Sequence, residues 1–290
     1  MVKIAGQSPR IAKFFRVGEL ENNISTIICC EISGNGTPLI LIPGLGDTVW
    51  VWRKIIPFIE NKYKVFALEQ RGHGRSSSPI GPYKGEDFKN DLYKLIQHNG
   101  IESPILIGHG FGGMIALDFT IRYPEIASGI IAISPEIYDK NNSHRIDIQE
   151  GMELSFEKNM HGAYKKRRKS RKEPKGMSSQ ERAEHHRLFL KNDPMGYYSS
   201  CYANLELLSI EEKINNISIP TLMIYGELDT KQKESLKISS NFPPNFENII
   251  VDRAGNYVHL DRPESLEHLI NEFTTKNNLQ FKIKDTGDIQ

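Results

Sequence analysis

The sequence predicts an α/β protein: a mostly parallel sheet with helices on both faces and a helical cap inserted between two strands. Three observations lead there. Short apolar runs of strand length alternate with segments of helical spacing. Several runs are apolar at consecutive positions, as strands buried on both faces are. The alternation then stops between Pro135 and about Ile214, where the chain becomes polar, charged and helical in character.

Phe14–Val17 and Ser25–Ile32 read as strands, followed by a Gly34-Asn35-Gly36 turn. Pro38–Ile42 and Lys64–Leu68 are buried strands, with helical spacing over Trp52–Ile59 between them. Asp87–Gln97 is an amphipathic helix whose apolar face is Phe88, Leu92, Leu95 and Ile96. Pro104–Ile107 is a strand, and Met114–Ile121 is so apolar that it belongs at the centre of the sandwich. Ser128–Ile133, Thr221–Tyr225 and Asn248–Val251 complete the strands. Asp261 and Glu264 around Pro263 read as a capping box, opening a last helix with the stripe Leu266, Leu269, Ile270 and Phe273. The expected organisation is a core of residues 1–135 and 214–275, a cap of 136–213 and a frayed tail of 276–290.

At 290 residues with 38% hydrophobic and 25% charged side chains, the chain can bury a substantial core. Its net charge of +1 supplies no global pull toward nucleic acid or membrane. No stretch approaches the roughly 18 apolar residues of a membrane span, and Met1–Ile4 opens no leader-like run. The three cysteines, Cys29, Cys30 and Cys201, form no CxxC and suggest a reduced, cytoplasmic setting. The nine histidines make no metal-ligand spacing, so no metal and no cofactor is expected.

The informative segment is Ile105-Leu106-Ile107-Gly108-His109-Gly110-Phe111-Gly112-Gly113-Met114, a buried strand turning sharply through glycines into a buried helix. With serine at 110 it would be a G-x-S-x-G nucleophile elbow. Four further segments keep company with it in order: Pro43-Gly44-Leu45-Gly46 with Trp50 and Trp52, Glu69-Gln70-Arg71-Gly72-His73-Gly74-Arg75-Ser76, Gly226-Glu227-Leu228-Asp229, and Ala254-Gly255-Asn256-Tyr257-Val258-His259. Together they resemble the α/β-hydrolase family over about residues 24–135 and 214–275. The resemblance implies that fold, an oxyanion loop at 43–46, a catalytic acid at Asp229, a nucleophile position at Gly110 and a histidine position at Asn256. Here the sequence departs from the family pattern. Glycine has no group to attack a carbonyl, and asparagine cannot take and return a proton. The implied oxyanion donors are the backbone amides of Leu45 and Phe111, which need no particular side chain.

Other residues remain in play. Gly108, Gly110 and Gly113 also match a dinucleotide fingerprint, although that reading leaves the acid and histidine-like loops unexplained. His259, three residues past Asn256, is a candidate replacement base or a structural histidine. Asp229 is a candidate lone base, or simply a partner of Asn256. Tyr197, Tyr198 and Tyr202, late in the cap, and Tyr257 are candidate substrate contacts. The run Lys165–Lys172 reads either as a solvated face or as a dock for an acidic partner such as an acyl-carrier protein. Nucleic acid is disfavoured because no aromatics interleave the run. The expectation is a non-hydrolytic protein of this fold. Three readings stay open: a repurposed lyase, cyclase, isomerase or decarboxylase acting on a carbonyl-bearing small molecule, a binding or scaffolding pseudoenzyme, and a hydrolase with displaced catalytic residues.

Overall fold

A computed structural model describes residues 10–17, 26–137, 143–170, 174–229 and 242–280. Eight strands form one sheet: β1 (Ile11–Arg16), β2 (Ile27–Ser33), β3 (Thr37–Ile42), β4 (Tyr63–Leu68), β5 (Ile105–His109), β6 (Gly129–Ile133), β7 (Thr221–Gly226) and β8 (Phe246–Val251). Their order is β1-β2-β4-β3-β5-β6-β7-β8. β1 and β2 pair antiparallel, as do β2 and β4, while β3 to β8 and β4 run parallel.

The central strands β3, β5, β6 and β7 are buried at every position because both faces are covered. In β3, Ile40 and Ile42 join one core with β5's Leu106, β7's Met223 and Tyr225, and helices α2 (Gly85–His98) and α3 (Phe111–Arg122). Leu39 and Leu41 join the other with Ile105, Ile107, Trp52, α1 (Ile56–Ile59) and the C-terminal helix α8 (Pro263–Lys276). The insert between β6 and β7 carries α4 (Ser143–Ser170), kinked at Lys158 and Asn159, then α5 (Ser179–Leu190) and α6 (Pro194–Leu207), packed around a small core of their own.

Two local expectations change. The helical spacing of Trp52–Ile59 resolves into a 3₁₀ turn at Val49–Trp52 and the single turn of α1. The capping box at Asp261 is absent. Asp261 closes the short turn α7 (Val258–Asp261), and Arg262 takes the N-cap position of α8. The Asp261 carboxylate instead accepts the Gly176 amide at 2.6 Å and the Gly255 amide at 2.8 Å, tying the cap's connecting segment to the loop that carries Asn256. Of the tail from 276, residues 281–290 lie outside the described residues.

The turn after β4 shows how charges hold the sheet's functional edge. Arg71 donates twice to the Asp91 carboxylate on α2, at 2.6 Å each, and Glu69 accepts the Arg75 amide at 2.6 Å. Burial works to lower the Arg71 pKa, but its bonds to Asp91 more than offset that and raise it.

Candidate active site

The strand-to-helix elbow turns at Gly110, with φ 51° and ψ −117°. An L-residue there carries strain of about 1–3 kcal/mol, whereas glycine enters freely. The neighbouring glycines are needed for space. A Cβ on Gly108 would lie 2.3 Å from the Gly112 carbonyl oxygen, and one on Gly112 would lie 2.2 Å from that of Ile42 and 2.5 Å from that of Pro43. The first turn of α3 is therefore pressed against the loop that follows β3. That contact brings together the segments bearing the Phe111 and Leu45 amides. Among the described residues, neither amide donates to a protein acceptor. Phe111 also stands at the positive end of α3.

Asn256 is fully engaged. Its Nδ2 donates to Asp229 Oδ2 at 2.9 Å, and His109 Nε2–H donates to Asn256 Oδ1 at 3.0 Å. Asp229, on the acceptor side, sets the orientation of the amide, and the amide in turn places the His109 proton on Nε2. Ser134, at φ 45° just beyond β6, donates its hydroxyl to the Asn256 carbonyl at 3.0 Å and holds the loop in place. The arrangement is a completed hydrogen-bond chain in which the middle member cannot titrate.

No thiol offers a substitute nucleophile. Cys29, Cys30 and Cys201 are buried, and burial pushes the Cys29 thiol up to about 11 and raises the other two further. His259 is completely buried, 4.4 Å from the Trp52 ring centre and 4.7 Å from that of His109. Among the described residues, neither of its ring nitrogens finds a hydrogen-bond partner. Burial first, then the neighbouring His109, holds its pKa well below the ordinary histidine value. It is a neutral ring packed in the core.

A small, half-open cavity lies where the cap meets the core, bounded by Leu45, Glu136, His144, Ile148, Arg167 and Tyr197 among others. Of the four tyrosines singled out from sequence, Tyr197 lines it. Tyr198 and Tyr202 do not: α6 turns Tyr197, Cys201 and Asn204 inward, so the residues one position on point to the outside. There Tyr198 and Tyr202 meet hydroxyl to hydroxyl at 3.5 Å beside Phe156. Tyr257 is buried and donates its hydroxyl to Asp47 at 3.0 Å. The cavity also contains a pair that sequence reasoning missed, Glu136 and His144, with Oε2 and Nδ1 3.4 Å apart and both residues buried. Eight positions separate them with no motif to join them, so only the entry into the cap brings them together.

The basic run divides. Arg167 turns inward to Asp47 and Lys166 to Asp147 and Glu150, while Lys165, Arg168 and Lys169 are exposed. Arg171 and Lys172 lie outside the described residues. Reversing the charges of residues 166–169 together would thus break buried pairs as well as alter the surface. Asp47, which no sequence motif marked, is the most enclosed charge of the site. Burial opposes its ionisation, but Arg167 and His185 override this and hold the carboxyl well below its usual range. Among the described residues, no cluster of three or more His, Cys, Asp or Glu side chains could hold a metal, and no helix is long and apolar enough to cross a membrane.

Comparison with known proteins gives the wider context. A family model described as "alpha/beta hydrolase fold" matches residues 37–263. An uncharacterized protein of Mycobacterium bovis is 29% identical over 104 residues, which span 36% of this chain and only 30% of that protein. The pimeloyl-[acyl-carrier protein] methyl ester esterase of Wigglesworthia glossinidia brevipalpis is 28% identical over 267 residues, covering 86% of this chain and 98% of the relative. Among solved structures, a thermophilic esterase from Thermogutta terrifontis superposes with a TM-score of 0.79 at 18% identity, covering 93% of this chain and 99% of that one. At that identity the likeness is one of fold.

Proposed function

Because the chain belongs to the α/β-hydrolase-fold family, we propose that it keeps the family's backbone site for a carbonyl oxygen and has abandoned serine hydrolysis. The observation that carries this reading is Asn256, hydrogen-bonded to Asp229 on one side and His109 on the other, opposite an elbow with no side chain. Such an arrangement neither generates a nucleophile nor relays a proton. The unengaged amides of Leu45 and Phe111 support binding of a small carbonyl-bearing molecule beneath the cap. The Glu136–His144 pair shares the Leu45-lined cavity and supplies a proton-transfer group that the altered triad lacks. This favours a repurposed enzyme of the lyase, cyclase, isomerase or decarboxylase type over a pure binding protein. Asp229 serves there as the anchor of Asn256, and His259 as packing.

Relatives bearing the names of esterases favour the hydrolytic reading, and one experiment separates the two. Incubated with a fluorophosphonate and with p-nitrophenyl acetate, the wild-type protein should show no covalent adduct by intact mass and no turnover above buffer. Loss of a working triad costs roughly 10⁶-fold. Stoichiometric labelling at any serine would establish a displaced nucleophile and overturn the proposal.

The exposed Lys165, Arg168 and Lys169 are proposed to receive an acidic carrier protein, a reading supported by the Wigglesworthia relative, which is named as an esterase of a pimeloyl-[acyl-carrier protein] methyl ester. Reversing Arg168 and Lys169 to glutamate should leave the unfolding free energy within about 0.5 kcal/mol, as surface changes do. It should weaken binding to acyl-carrier protein at low salt, measured by calorimetry. Binding indifferent to both the reversal and added salt would remove the carrier from the reading.

A further inference from the structure

The loop Gly44–Asp47 is held from above by the cap, at three points and by three separate elements. Arg167 of α4 donates to the Leu45 carbonyl at 2.7 Å and to Asp47 Oδ1 at 2.8 Å. His185 of α5 meets the same Asp47 oxygen at 2.9 Å. Asn192, between α5 and α6, donates to the Gly46 carbonyl at 2.8 Å, and its own oxygen accepts the Gly74 amide at 2.8 Å. From the core side, Tyr257 donates to Asp47, and His73 accepts the Gly46 amide at 2.8 Å. Gly46 sits at φ 78°, and the contact is so close that a Cβ there would lie 2.3 Å from the Phe189 ring.

We propose that Arg167, together with His185 and Asn192, is a positioning clamp through which the cap sets the geometry of the loop bearing the Leu45 amide. The clamp joins loop and cap. Its catalytic meaning rests on the reading of Leu45 as an oxyanion donor. The physical basis is the cost of letting go. Lifting the cap would strip the Asp47 carboxylate of Arg167 and His185, leave it only the Tyr257 hydroxyl, and leave two loop carbonyls without their donors, a costly loss for so enclosed a charge. Cap and loop therefore move together. Arg167 and Leu45 both line the cavity, so the clamp forms part of its wall. The guanidinium suits this task because its planar fork spans two acceptors at once, which an ammonium cannot do in the same geometry. Arg167 also lies over the Phe189 and Tyr257 rings, 4.9 Å and 5.8 Å from their centres, which fixes its plane.

The test is hydrogen–deuterium exchange followed by mass spectrometry on the full chain, comparing wild type with Arg167→Lys, Arg167→Ala and Asn192→Ala. Peptides spanning residues 44–52 and those of α4 and α5 should exchange together, about tenfold faster or more in Arg167→Ala. Arg167→Lys should give an intermediate rate, while β5 and β6 stay protected. Asn192→Ala strands no charge, so it keeps the test valid if Arg167→Ala fails to fold, and it should show the same paired pattern at lower amplitude. Loosening of the cap with an unchanged loop, or uniform loosening of the sheet in both Arg167→Lys and Asn192→Ala, would overturn the clamp. In a Gly110→Ser/Asn256→His background, Arg167→Lys should lower kcat about tenfold with little change in KM. If that background has no esterase activity, the oxyanion reading fails while the exchange result still decides the clamp.

Discussion

Gly110→Ser combined with Asn256→His should create esterase activity toward p-nitrophenyl acetate where each single change gives almost none. Serine at 110 would project from the elbow, and imidazole at 256 would take the place of the amide that now donates to Asp229 at 2.9 Å. The Leu45 and Phe111 amides would receive the oxyanion. The expected gain is on the order of 10²–10³-fold over background, short of the roughly 10⁶ of an intact triad, because the rebuilt serine and imidazole enter surroundings that do not preorganise them. Two costs are legible in advance. Serine must adopt φ 51°, a strain of about 1–3 kcal/mol that the family's elbow ordinarily bears. Histidine at 256 also removes the acceptor of the His109 Nε2–H, leaving that buried donor to find another partner. The clean readout is non-additivity across the four proteins, with thermal melts to confirm folding. A folded double variant that neither hydrolyses the ester nor reacts with a phosphonate at residue 110 would remove Leu45, Phe111 and Asn256 from the assigned positions.

Acidification should destabilise the fold well before its carboxylates are protonated. His73 is buried, with Nδ1–H donating to the Arg71 carbonyl at 2.9 Å and Nε2 accepting the Gly46 amide. Burial lowers its pKa from 6.5 to about 4. His259 shifts in the same direction. For a histidine with a depressed folded value, the unfolded chain takes up the proton first. The stabilisation is therefore complete above about pH 6.5 and drains away as pH falls, ending for His73 near pH 4. At roughly 1.4 kcal/mol per pKa unit, His73 accounts for about 3 kcal/mol, and His259 adds to it with the same sign. Asp47 is shifted in the same direction but from 3.8, so its stabilisation is complete above that pH and lost only below it, and the two windows separate. Urea titrations at pH 7, 6, 5 and 4.5 should give a steadily falling unfolding free energy, and His259→Phe should flatten the slope. A free energy constant from pH 6.5 to 4.5 would mean that these rings are not neutral in the folded protein.

Most of the fold was legible because its signals are local. Consecutive apolar residues in Pro38–Ile42 and Ile105–Ile107 require two covered faces, and the structure places Leu39 and Ile40 in opposite cores. The glycines around 110 announce a turn without room for side chains, and the structure shows that turn between β5 and α3. The capping box at Asp261 could not be judged in the same way. Its spacing was right, but a short turn intervenes and two distant amides, Gly176 and Gly255, claim the carboxylate.

What the sequence by itself determined is the layered α/β architecture and the absence of a nucleophile and a titrating partner at residues 110 and 256, because both follow from residue type at fixed local spacing. Only the tertiary structure decided where the charges go. Asp47, Arg167, His185 and Tyr257 are far apart in the chain and share no motif, yet they meet around one buried carboxylate. Tyr197 faces a cavity that its neighbour Tyr198 does not. The physical reason lies in how distant elements meet. Burial of a charge is tolerable only where other elements bring partners to it, and which elements meet depends on how the cap docks on the sheet.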